Sequence, residues 1–278
     1  MDKIPHNKLI IIGGAEDKKG NKTILKEICK EINNEKDLLV VMTVASEVPL
    51  LIGEDYLKVF KSLGVKNIKI LNINSREEAN LKENIEFVKK SKLIFFTGGD
   101  QLRITSILGG TEISDEILSS KDKIFVGTSA GASVMSGTMI IDGEDEESPK
   151  KSIVNMSPGL GFLNNVVIDQ HFAQRGRIGR LLTAVAEHPG ILGIGIDENT
   201  AIVVTGNLIK VIGNGSVYVI DGDGINYTNI SAQDMDKVLS IFNVKLHVLI
   251  SGNSFDLKSK IPFEEEEIGN ENNKQKSI

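Results

Sequence analysis

Residues 123–135 read Lys-Ile-Phe-Val-Gly-Thr-Ser-Ala-Gly-Ala-Ser-Val-Met, and no other stretch restricts the fold as tightly. Ile124 to Val126 form an apolar run short enough for a buried strand. Gly-Thr-Ser-Ala-Gly follows, leading into small residues compatible with a helix. Strand, sharp turn and helix in that order, with G-x-S-x-G at the turn, describe a nucleophile elbow. Such a turn forces the serine into a strained backbone conformation at the strand's end, and its glycines let neighbouring backbone pass closely. Ser129 is therefore expected at the carboxyl edge of a sheet, with the N–H of Ala130 at a helix start available to an oxyanion. Taken alone, the pentapeptide fits a plain glycine-rich strand-to-helix turn equally well. The rest of the chain decides.

Upstream of the elbow, unbroken apolar runs alternate with helical patterns. Strands are expected at Leu9–Ile12, Leu38–Val44, Ile68–Leu71 and Leu93–Thr97. Helices are expected at about Lys22–Ile32, at Asp55–Leu63, from a Ser75/Glu78 capping box to about Lys89, at Gln101–Leu108 and at Ile113–Ser119. Apolar strands separated by helices predict an α/β domain with a doubly wound, mostly parallel sheet covered on both faces. Functional loops in such sheets gather at the strands' carboxyl ends. Three of those ends look alike here: Gly13-Gly14-Ala15-Glu16-Asp17, Gly98-Gly99-Asp100-Gln101 and the elbow itself.

Downstream the character changes. Asp142 to Lys151 is a polar, acidic loop, read as solvated rather than as a cation site. Val166 to Asp169 is a strand that runs into Gln170-His171-Phe172-Ala173-Gln174-Arg175-Gly176-Arg177. In the helix that follows, to Glu187, Arg177 and Arg180 are three apart and share the face opposite the apolar residues. Ile191–Ile196 and Ala201–Thr205 pattern as a hairpin around Asp197-Glu198-Asn199-Thr200. Leu208–Ile212, Ser216–Ile220 and Lys245–Ser251 are C-terminal β additions, with a short helix near Gln233–Leu239. One domain is thus expected over residues 1–262. Residues 263–278, with four successive glutamates, carry too little apolar surface to pack and are expected to form a charged, frayed tail.

Charge and composition narrow the functional classes. A net charge of −6, with Lys and Arg spread along the chain, offers no basic face for nucleic acid. No stretch approaches the roughly 20 apolar residues of a membrane span, so a soluble, cytoplasmic protein without membrane contact is expected. The single cysteine, Cys29, falls in an amphipathic helical pattern and is expected to be buried. One thiol excludes an internal disulfide and a cysteine-based zinc site.

A serine hydroxyl at neutral pH needs a base within hydrogen-bond reach, and the base needs a third group to orient it. Of four histidines, His6 lies in a polar arm, His188 beside Pro189 and His247 in an alternating strand, all positions suited to surface or structural roles. His171 follows a strand end and is the expected base. Glu198, at the tip of a tight turn, is the best orienting carboxylate, with Asp197 as its competitor. The order Ser, His, acid differs from the Ser, acid, His order of α/β-hydrolases.

The three glycine-rich strand ends, Asp169-Gln170-His171-Phe172 with Arg175, Arg177 and Arg180, and Gly195-Ile196-Asp197-Glu198-Asn199-Thr200-Ala201 together resemble the cyanophycinase family of serine peptidases, which is related to aspartyl dipeptidase. The resemblance runs from about Ile10 to Ser251. It implies a flavodoxin-like sheet akin to the class I glutamine amidotransferase domain, a homodimer, and no metal or cofactor. The implied substrate is cyanophycin, a poly-aspartate backbone with arginine joined to each side-chain carboxyl, released as β-Asp-Arg dipeptides. Carried over, Ser129 is the nucleophile, His171 the general base and then acid, and Glu198 the orienting carboxylate. Gln101, Asp169, Gln170, Arg175, Arg177 and Arg180 are implied to line the pocket. The oxyanion would lie between the N–H of Ala130 and one from Gly98-Gly99-Asp100, with Gly99 and Asp100 as candidate donors. Two alternatives stand beside this: an aspartyl dipeptidase acting on small peptides, and a non-catalytic sheet holding an anion at its glycine-rich strand ends.

Overall fold

In the computed structural model of this chain, residues 8–142, 149, 154–231 and 238–264 are described. The first half alternates as the apolar runs predict. Its elements are β1 (Lys8–Ile12), α1 (Thr23–Lys30), β2 (Leu38–Met42), α2 (Pro49–Ser62), β3 (Ile68–Leu71), α3 (Arg76–Ala79), α4 (Lys82–Lys90), β4 (Ser91–Phe96), α5 (Gln101–Leu108), α6 (Glu112–Ser119) and β5 (Ile124–Thr128). Then come α7 (Ala130–Ser133), β6 (Thr138–Asp142), β7 (Asn155–Pro158), β8 (Val166–Gln170), α8 (Ile178–Glu187), β9 (Leu192–Ile196), β10 (Thr200–Thr205), β11 (Leu208–Gly213) and β12 (Val217–Asp221). The chain finishes with β13 (Tyr227–Thr228), β14 (Ile241–Phe242), β15 (Lys245–Leu249), β16 (Asn253–Asp256) and β17 (Ile261–Glu264).

A nine-stranded sheet in the order β17-β16-β11-β10-β1-β5-β4-β2-β3 forms the centre. From β3 to β1 every pairing is parallel, and from β1 outward through β10 every pairing is antiparallel. Alternate residues of the parallel strands face opposite sides. Ile10, Ile12, Leu39, Val41, Leu93 and Phe95 pack with Ile24 and Leu25 of α1 and Tyr56 and Phe60 of α2. Leu9, Ile11, Val40, Met42, Ile94 and Phe96 face α4, α5 and α6 through Ile85, Val88, Ile104 and Ile113. Helices therefore cover both faces, as a doubly wound sheet requires.

On that second side lies a smaller sheet, β15-β12-β9-β8. Ile168, Ile194, Ile196, Val217 and Val219 turn into the shared core. Its opposite face, with Val167 and Ile220, is covered by Leu181, Ala184 and Val185 of α8.

Several sequence expectations are corrected. Ile191–Ile196 and Ala201–Thr205 are strands but not a hairpin: β9 pairs with β8 and β12 in the small sheet, β10 with β1 and β11 in the large one. The turn between them carries the chain from one sheet to the other. The helix expected from Ser75 to Lys89 is broken. The Ser75 hydroxyl does accept the Glu78 N–H at 3.2 Å, but Asn80 ends the first piece. Its Nδ2 donates to Arg76 O at 2.9 Å and its Oδ1 accepts the Glu112 N–H at 2.9 Å, in competition with the helical ladder. Helix α2 starts at Pro49, six residues before the expected Asp55, because proline suits the first helical position. Phe263 and Glu264, assigned to the tail, extend β17 against Ser254 and Asn253. The remaining tail, most of the acidic 142–151 loop and residues 233–237 of the expected short helix lie outside the described residues.

Candidate active site

Strand β1 ends in Gly13-Gly14, and the carbonyls there meet three separate parts of the chain. Ile12 O accepts the N–H of Ser129 at 3.1 Å, Gly13 O that of His171 at 2.8 Å, and Gly14 O that of Asn199 at 2.9 Å. Ser129 follows β5 of the large sheet, His171 follows β8 of the small one, and Glu198 sits in the crossing turn after β9. Because β8 and β9 run parallel with Gln170 opposite Ile196, His171 and Glu198 emerge side by side. The end of β1 then sets that pair against the serine.

The backbone is held unusually at each of these points. Ser129 adopts φ 54°, ψ −116°, the strained elbow its sequence implies. His171, Asn199 and Ala15 have φ of 48°, 49° and 46°. Non-glycine residues in this region persist only where their surroundings over-determine them, as happens at active sites.

Side chains complete the arrangement. The Ser129 hydroxyl lies 2.9 Å from His171 Nε2, and His171 Nδ1 lies 2.6 Å from Glu198 Oε1. Ser129 also approaches Gln170 Oε1 at 3.4 Å. With Nδ1 donating to the carboxylate, Nε2 is left as an acceptor for the hydroxyl proton. Burial pushes the His171 pKa below its ordinary value, and Arg175 and Arg177 push the same way against the opposing pull of Glu198. The ring is thus held neutral, in the form able to accept a proton.

Of the two candidate acids, only Glu198 reaches the ring. Asp197 is buried and accepts the N–H groups of Ala173 and Ser216, both at 3.0 Å, which fastens the crossing turn to its surroundings. The Glu198 N–H is fixed by Gln174 Oε1 at 3.0 Å.

Around the hydroxyl, Ala130 opens α7, so its N–H has no helical acceptor. Gly98 lies against the serine: a Cβ built on it would stand 3.2 Å from that of Ser129. Gly99 has φ 142° and lies hard against Ala45 O, which a Cβ would approach to 2.1 Å. Asp100 donates its N–H to that same carbonyl at 2.9 Å, so of the expected donors it is the one already engaged.

The six residues expected to line the pocket separate into groups. Asp169, Arg177 and Arg180 are all buried. Arg180 holds Asp169 through two bonds, Nε to Oδ2 at 2.7 Å and Nη2 to Oδ1. Arg177 Nη1 donates to Gln170 O at 2.5 Å and lies 3.4 Å from Asp169 Oδ1. Asp169 Oδ1 also accepts the Gln170 N–H at 3.0 Å. This cluster braces the strand end that carries Gln170 and His171. Arg175 is exposed. Gln101 spends its amide on the carbonyls of Ile140 and Ile141, both at 3.0 Å. Among the described residues no group of three or more His, Cys, Asp or Glu is placed to hold a metal ion, and no helix is long and apolar enough to cross a membrane.

Sequence reasoning assigned no role to Glu16 or Asn199. Asn199 ties the loops together by accepting the Asp17 N–H on Oδ1 at 3.0 Å. The signal for Glu16 is an acidic side chain two residues after the glycine pair that closes an apolar strand.

Comparison with known proteins identifies the family. The family described as peptidase family S51 matches residues 9–212. A cyanophycinase from Geminocystis herdmanii is 37% identical over 267 residues, covering 95% of this chain and 98% of that protein. One from Trichormus variabilis is 37% identical over 253 residues, covering 90% and 85%. The crystal structure of a peptidase from an acI-B1 actinobacterium shares the fold, with a TM-score of 0.63 at 21% identity over 90% of this chain and 96% of that one.

Proposed function

The chain belongs to peptidase family S51 and is a serine-type peptidase, and from that premise we propose that it hydrolyses cyanophycin to β-Asp-Arg dipeptides through Ser129, His171 and Glu198. The observation that carries this reading is the unbroken chain of hydrogen bonds from the Ser129 hydroxyl through both ring nitrogens of His171 to Glu198.

In the proposed reaction Ser129 Oγ attacks the peptide carbonyl between successive β-linked units while its proton passes to His171 Nε2. The imidazolium so formed is stabilised by Glu198. Negative charge on the carbonyl oxygen is met by the N–H of Ala130 and that of Gly99, each such donor being worth about 3–4 kcal/mol in well-studied hydrolases. His171 then returns the proton to the leaving amine. Water, deprotonated by the same ring, releases the dipeptide from the acyl-enzyme.

Each repeat of the polymer carries one carboxylate and one guanidinium. Arginine grips a carboxylate with two parallel bonds, and the exposed Arg175 is the cation placed to do so. Arg177 and Arg180, fixed on Asp169, contribute positive field and hold Gln170 in place. Gln101 and Gln170 complete the proposed binding surface, with the buried Asp169 supporting it from behind through Arg177 and Arg180. A homodimer belongs to the same proposal: edge strand β15 leaves Leu246 and Val248 exposed, in a row with Ile250 just beyond it, that a second copy would cover.

Mass spectrometry of the products from purified polymer tests the reaction. The wild-type chain should release β-Asp-Arg, and Ser129→Ala should release none while keeping its far-ultraviolet circular dichroism. Full activity in that variant would remove the mechanism.

A further inference from the structure

Glu16 is a charged side chain buried at 5% exposure, and the reaction just described makes no use of it. Its Oε2 accepts the hydroxyl of Thr128 at 2.6 Å, and its Oε1 accepts the hydroxyl of Tyr56 on α2. Lys18 Nζ stands 3.7 Å from Oε1 and 4.0 Å above the Tyr56 ring, closing the cluster from outside.

The position of Thr128 gives these contacts their meaning. It is the last residue of β5, lies opposite Ile12 of β1, and directly precedes the strained Ser129. Fixing its side chain fixes the peptide plane from which the serine departs. The loop that supplies Glu16 also holds the other half of the relay: Gly13 O takes the His171 N–H, and Asp17 N donates to Asn199 beside Glu198. Asp17 in turn locks the loop by accepting the N–H groups of Lys19, Gly20 and Lys22 at 2.9, 2.7 and 3.0 Å. These three bonds hold its pKa down at about 2.

A buried carboxylate is weak evidence for stability in itself, because an apolar side chain of similar volume commonly does as well. What the carboxylate supplies and a hydrocarbon does not is direction: two acceptor oxygens aimed at two hydroxyls on different elements. We propose that Glu16 is a positioning residue for the peptidase reaction, holding Thr128 so that the Ser129 hydroxyl stays within reach of His171 Nε2. This inference rests on Ser129 being the nucleophile.

The experiment compares wild type, Glu16→Gln, Thr128→Val and the double variant. Thr128→Val is near-isosteric and removes only the hydroxyl that Glu16 receives, so it tests the idea even where Glu16→Gln fails to fold. Three quantities are measured well below each melting temperature: kcat, KM on the polymer, and the second-order rate of Ser129 labelling by a fluorophosphonate. Each single variant should lose about 10- to 100-fold in kcat and in labelling rate with KM within twofold, in line with the cost of misplacing a reacting group by about 1 Å. The double variant should lose no more than the worse single one. A purely structural role would lower the melting temperature and leave kcat and labelling of the folded molecules at wild-type values, and that result would overturn the inference. An inactive, unlabelled wild-type chain would instead fault the peptidase reading, so the two failures are told apart.

Discussion

Gly14 lies flat against the imidazole of His171: a Cβ built on it would stand 2.4 Å from Cε1 and 2.5 Å from Nε2 of the ring. Real Cβ atoms do not approach that closely, and Gly14 has φ 100°, where L side chains are strained. The ring can therefore occupy its place between Ser129 and Glu198 only beside a glycine. Gly14→Ala is expected to displace the imidazole and to lower kcat by about 100-fold, the scale of a 1 Å misplacement. Steady-state kinetics with a melting curve on the same preparation checks this; wild-type kcat in a folded variant would contradict it.

The pH profile of kcat/KM should rise through the titration of His171, since only the neutral ring accepts the serine proton. Burial lowers that pKa from 6.5, so the midpoint of the rising limb is expected below 6.5. Glu198 raises the pKa of the ring, and Glu198→Gln is therefore expected to move the midpoint lower still. The same depression links folding to pH. The unfolded chain takes up this proton first, so the contribution to stability is complete above pH 6.5 and is lost as pH falls through the folded-state value. A midpoint above 6.5, with chemistry shown to limit the rate, would exclude His171 as the base.

Neighbouring acids Asp197 and Glu198 should behave differently. Glu198→Gln is expected to cost about 10^3- to 10^4-fold in kcat with little change in melting temperature, because the neutral amide no longer stabilises the imidazolium and can donate to the ring, favouring the wrong tautomer. Asp197→Ala strands the N–H groups of Ala173 and Ser216, at about 1–3 kcal/mol for each, and is expected to appear mainly as lost stability. Parallel urea titrations and kinetics separate the two. Equal loss of kcat per folded molecule in both variants would show that the acids share one role.

Arg180→Met leaves Asp169 buried with one of its two cations gone and is expected to destabilise by about 3–5 kcal/mol. Arg180→Lys keeps the charge but not the paired geometry and should fall between. Denaturant midpoints at pH 7 check the order; a methionine variant as stable as wild type would mean that the cluster does not brace β8.

The parts of this site visible in the sequence are those that glycine and strand patterning announce. Gly13-Gly14, Gly98-Gly99 and Gly127-Thr128-Ser129-Ala130-Gly131 each end an apolar run, and all three meet at one edge because parallel strands carry their ends together. Pattern favours Glu198 over Asp197 only by its place at the tip of the turn, since both follow the same strand. The choice is made by how the crossing turn faces His171. The supposed hairpin failed for a related reason: apolar alternation marks a strand but not the sheet it joins. Spacing puts Arg177 and Arg180 on one side, yet periodicity does not reveal that Arg177 precedes the helix or that Asp169, eleven residues before Arg180, receives both in the interior. Asn80 broke an otherwise regular helix through bonds to Arg76 and Glu112, the second of them 32 residues away.

Three successive carbonyls, from Ile12 to Gly14, meet residues after β5, β8 and β9, and this makes the segment a molecular ruler. Adding or deleting one residue within it would offset hydroxyl, imidazole and carboxylate by a peptide step of about 3.8 Å, more than any hydrogen bond between them tolerates. Lengthening the connection between β16 and β17 leaves that measure untouched. On this plan the outer loops can change in size, whereas the number of residues between the first strand and its acidic turn cannot.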